Sequence, residues 1–96
     1  MSVHIVMFKF KEENRDANIA KAKEMLEALT GKVPSLSTME VGVDFSRTER
    51  AFDLSLYSTF ESKEGLGEYA VHPAHLEVVA FIKEVTEVSK VVDYEK

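Results

Sequence analysis

Tyr69-Ala70-Val71-His72-Pro73-Ala74-His75 decides how the second half of the chain folds, because a proline there separates two helical patterns. The same seven residues hold two of the three histidines and one of the three tyrosines. Pro73 disfavours the α conformation at His72, so the pattern before it must stop. The proline itself suits the first turn of a new helix, where its missing N–H would have no partner anyway. This predicts a short helix from Ser62 to Val71, a break at His72, and a longer helix from Pro73 to Val88. On the longer helix Val78, Val79, Ile82 and Val85 recur at steps of three and four, an apolar stripe turned toward a core. His75 lies on that stripe one turn earlier, so an imidazole is carried inward with the phenol of Tyr69 close in sequence.

Working outward, Val3 to Lys11 is rich in β-branched and aromatic residues and reads as a strand. His4, Val6, Phe8 and Phe10 share one side, and Val3, Ile5 and Met7 the other, so both sides should be covered. A helix starts at Asn14 or Asp16, either of which can cap it, and runs to Thr30. Its inward stripe is Ile19, Ala22, Met25, Leu26 and Leu29, and Gly31 suits a left-handed residue past its end. Leu36 to Phe45 and Ala51 to Phe60 read as a hairpin around the polar Ser46 to Arg50 turn. Phe52, Leu54, Leu56 and Phe60 alternate there with Asp53, Ser55, Tyr57 and Thr59. Lys90 to Tyr94 is the last strand.

The order strand, helix, strand, strand, helix, strand specifies an α+β fold. It is the ferredoxin-like βαββαβ arrangement, a four-stranded antiparallel sheet with helices on one face. The other face is expected to carry Val3, Ile5, Met7, Met39, Val41 and Tyr57, too apolar to leave in water. Two such sheets packed face to face make a homodimer.

Composition narrows the functional classes. The 96 residues make one domain, residues 1–96, with 45% hydrophobic and 30% charged residues, as in an ordinary globular protein. A net charge of −5 argues against a nucleic-acid partner, which calls for a basic face. The chain has no cysteine, which fits a reducing compartment. No apolar run suggests a leader or a membrane segment, so a cytoplasmic location is expected. No cofactor is expected: Gly42, Gly65 and Gly67 lack the spacing of a phosphate loop. No metal is expected either, because His72 and His75 lack a clear third ligand nearby.

The strand from His4 to Lys11, the Val33-Pro34 turn, Phe60-Glu61-Ser62, Tyr69-x-x-His72-Pro73-Ala74-His75 and Val92-Asp93-Tyr94 resemble the stress-responsive α/β-barrel (Dabb) family over nearly the whole chain. That resemblance implies a ferredoxin-like protomer pairing into a dimeric α/β barrel. A plant branch of the family is similar to polyketide cyclases that close a linear β-polyketide by aldol condensation. There a tyrosine and the second histidine of the segment form the catalytic pair, which implies catalytic roles for Tyr69 and His75. His4, Phe8 and His72 are the expected ligand contacts. The expected ligand is a small, partly apolar carbonyl-type molecule in a helix–sheet cavity, with cofactor-free lyase or cyclase chemistry. The alternative is a non-catalytic structural or stress-associated dimer with a filled interior. In that reading His75 is a satisfied core histidine and the Tyr69 hydroxyl bonds a neighbour, so a cavity separates the two.

Overall fold

The computed structural model describes residues 1–96. It contains β1 (Ser2–Phe10), α1 (Arg15–Glu27), β2 (Leu36–Val43), β3 (Leu54–Phe60), α2 (Lys63–Val71), α3 (Pro73–Val85) and β4 (Thr86–Glu95). The strands form one antiparallel sheet in the order β2-β3-β1-β4. This is the ferredoxin-like α+β arrangement, with the longest-range pairing, first strand to last, completing the sheet at one edge. No helix is long and apolar enough to cross a membrane.

Register decides which side of each strand meets the helices. Val6 faces Leu56 and Phe8 faces Leu54 across β1 and β3, while Val41 faces Leu56 across β2 and β3. Directly paired residues share a face, so the β2 set Met39, Val41 and Val43 lies with the helices. This corrects the assignment of Met39 and Val41 to the open face. Val41 belongs to the buried core with Leu26, Leu54, Leu56, Phe60 and Ile82, and Met39 packs against it. The open face instead draws its apolar residues from β1, β3 and β4: Ile5 pairs with Tyr57 on one side and Val92 on the other, and Tyr94 lies opposite Val3. Met7, Val92 and Tyr94 are exposed there, at 43%, 59% and 43%.

Helix ends differ in detail from expectation. Asn14 precedes α1 in the left-handed conformation, φ 53°, and its side chain makes no capping hydrogen bond. The end of α1 tightens into a 3-10 turn over Ala28–Gly31, so Gly31 takes no left-handed conformation. α3 stops at Val85, three residues short of the predicted end, and β4 begins at the next residue. Thr86 and Val88 are β-branched and favour the strand. The Thr86 hydroxyl donates to the Ile82 carbonyl at 2.8 Å and closes the last turn. Lys9 then pairs with Val88 and Phe10 with Thr86, which leaves Glu87 as the extra residue of a β-bulge.

Two further contacts tie the sheet. Asp53 is buried just before β3; its N–H donates to the Phe8 carbonyl at 2.9 Å, and its carboxylate accepts from the Phe10 N–H at 2.7 Å. At the opposite end the Met1 amino group donates to the Lys96 carbonyl at 3.2 Å, and the Lys96 N–H returns a bond to the Met1 carbonyl at 2.8 Å.

Candidate functional site

Three local features bring the aromatic and imidazole groups together. Ser62 caps α2 by accepting the Gly65 N–H at 3.1 Å, and α2 carries Tyr69 inward on its second turn. His72 is extended, φ −66° and ψ 135°, as the following proline requires. Its ring does not turn to the interior: Nδ1 accepts the Ala74 N–H at 3.0 Å, capping α3 in the place usually taken by Ser, Thr or Asp. Of the residues expected to contact ligand, His72 therefore stands apart.

The first turn of α3 returns the chain over α2, so that the His75 ring stacks on Tyr69 with centroids 4.1 Å apart and planes tilted by 37°. Phe60 supports the other flank of Tyr69 at 5.1 Å, and His4 of β1 approaches it edge-on at 6.3 Å. Tyr69 is 1% exposed. Its hydroxyl nevertheless has no hydrogen-bond partner in the protein, which is costly for a buried polar group.

Hydrogen bonding assigns the tautomer of His75. Nδ1 lies 3.2 Å from the Ala70 carbonyl oxygen, which can only accept, so Nδ1 carries the proton and Nε2 keeps its lone pair. Burial of the ring pulls its pKa below the ordinary imidazole value; the Ala70 contact opposes this, and His4 and His72 add to it by charge. Burial pushes the Tyr69 phenol the other way, up to about 12. At neutral pH the pair is thus a neutral imidazole that can accept a proton and a protonated phenol that can donate a hydrogen bond.

These groups border a cavity of about 220 Å³ between α1, α3 and the sheet. His4, Tyr69 and His75 line it together, and Phe8 also contributes, whereas His72 does not. Val6, Leu26, Leu56, Val78 and Ile82 form an apolar wall, and Lys83, Thr86 and Ser89 stand at the edge near the start of β4.

Two features of the site lie outside the expectations drawn from the sequence. His4 Nδ1 lies 2.5 Å from the Asp93 carboxylate, a partner 89 residues away. Only the β1–β4 register, which sets His4 opposite Asp93, reveals it. Lys83 is legible in principle: it lies eight residues after His75, with Val79 between, which is two turns along the same helix face.

Residues 3–96 match the family described as the stress responsive A/B barrel domain. A stress-response A/B barrel domain-containing protein of Arabidopsis thaliana is 40% identical over 78 residues, which make up 79% of this chain and 29% of that relative. The chain thus spans less than a third of that protein's length. Olivetolic acid cyclase of Cannabis sativa is 28% identical over 75 residues, 76% of this chain and 74% of the cyclase. A dimeric ferredoxin-like protein of unknown function from Bacteroides fragilis superposes with a TM-score of 0.90 at 30% identity, covering 99% of this chain and 95% of that one. The pattern of strands and helices, the histidine–proline break and the match over residues 3–96 agree: this chain belongs to the stress-responsive A/B barrel domain family.

Proposed function

We propose that the protein is a homodimer whose protomers each take a small, partly apolar carbonyl compound into the cavity under α3, and that His75 and Tyr69 act on it without a cofactor. One observation carries the reading: a buried phenol hydroxyl without a partner beside a histidine whose Nε2 is left free as a base. His75 Nε2 takes a proton from the carbon next to the carbonyl, the C–H electron pair moves into the enolate, and the Tyr69 hydroxyl hydrogen-bonds the oxygen where charge develops. From the enolate, attack on a second carbonyl forms a carbon–carbon bond and the His75 imidazolium returns its proton to the new alkoxide; run in reverse, the same steps cleave that bond. The similarity to a cyclase supports this choice of chemistry. The exposed Met7, Val92 and Tyr94 and the dimeric structural relative support the homodimer.

The elementary step is tested by following α-proton exchange of butanone in D₂O by NMR. Wild type should accelerate exchange above the buffer rate, and Tyr69→Phe and His75→Gln should each lose most of the acceleration. Equal exchange in all three proteins would leave the cavity as a binding site only.

A further inference from the structure

The lining of the cavity has a charge character opposite to that of the chain. The protein carries 17 acidic against 12 basic residues, yet no carboxylate lines this cavity and Lys83 is its one formally charged residue. The Lys83 ammonium has no carboxylate within 4.0 Å, and the Ser89 hydroxyl makes no hydrogen bond in the protein. Both sit at the exposed edge of the cavity, while the phenol and imidazole lie further in. By contrast, the charged hollow at the other end of the sheet mixes Lys9, Arg15 and Arg47 with Glu12, Asp44 and Asp53.

From this arrangement we infer that the ligand is an anionic carbonyl compound, a short keto acid whose carboxylate is met by Lys83 and Ser89 while its keto oxygen reaches Tyr69. This rests on the proposed function of the same site and names its substrate class. Volume limits the size: about 220 Å³ lies below the ~300–1,000 Å³ of pockets for drug-sized ligands, which suits a short acid rather than a long polyketide chain. The ammonium pairs with the negative charge of the acid, whereas a neutral ester offers it only an uncharged carbonyl acceptor, and its exposure makes the preference sensitive to salt.

The test is a titration of acetoacetate and methyl acetoacetate, followed by the His75 ring signals, into wild type, Lys83→Gln and Lys83→Arg. Wild type should bind the acid about 3- to 10-fold more tightly than the ester, as expected of one partly exposed charge-assisted contact. Lys83→Gln should erase that preference by weakening the acid far more than the ester, and Lys83→Arg should keep it. Raising the salt from about 20 mM to about 500 mM should shrink it in wild type. Equal affinity for acid and ester in wild type and in Lys83→Gln would overturn the anionic assignment and leave the carbonyl-binding site standing. Failure of both compounds to bind any of the three proteins would overturn the site itself and the assignment with it.

Discussion

Tyr69→Phe should make the protein more stable and less active, and the size of the gain follows from the hydroxyl's surroundings. The ring is 1% exposed and packs against Phe60 at 5.1 Å and His75 at 4.1 Å, contacts that phenylalanine keeps. What changes is one buried oxygen with no partner. A buried polar group without a hydrogen bond costs about 1–3 kcal/mol. The low end of that range is a gain of ~1 kcal/mol. For a domain of 96 residues, ~1 kcal/mol moves Tm by about 4–8 °C. Thermal unfolding by circular dichroism, at matched protein concentration so that oligomerisation is held constant, should show that rise. Adding a bound keto compound at about 100 times its Kd should raise wild-type stability by ~2.7 kcal/mol and the variant's by less, since the variant binds more weakly. A variant that melts several degrees below wild type without ligand would show that the hydroxyl makes a stabilising contact, and the account of a poised donor would fail.

Other outcomes follow from the same geometry. His72→Ala removes the side-chain cap on the Ala74 N–H and should cost about 1 kcal/mol, with His72→Asn restoring most of it, as read by urea unfolding. Because burial lowers the folded-state pKa of His75, the unfolded chain binds the proton first as pH falls. Stability should therefore decline as pH drops through 6.5 toward the lower folded-state pKa, and His75→Gln should lose that part of the Tm–pH curve. Met7→Lys with Val92→Lys puts two charges on the open face of the sheet, and sedimentation velocity should show the dimer dissociating while the circular dichroism of the protomer is kept.

Much of the architecture is legible in the sequence because strand alternation, the helical stripes and the Pro73 break are local signals. Alternation identifies which residues share a side but not which side the helices cover. It groups Met39 with Val41 correctly yet leaves their direction open, since only pairing with Ser58 and Leu56 fixes their face. The predicted extension of α3 to Val88 has a similar cause: Val88 fits a helix by spacing from Val85, but pairing with Lys9 of β1 draws it into the sheet. Within the site, Tyr69 and His75 are six residues apart, and one break between helices is enough to bring them together. The link between His4 and Asp93 depends on pairing the first strand with the last, and no local pattern encodes that.

The mutual hydrogen bonds between Met1 and Lys96 have a consequence for the way the domain can be joined to other polypeptide. Its two ends emerge side by side from neighbouring strands, so a host chain can enter and leave at nearly one point. Such a unit can be inserted into a loop of another protein without prising that loop apart. It can also be circularised by a short linker and reopened between β2 and β3, with the four-stranded order and the cavity under α3 unchanged.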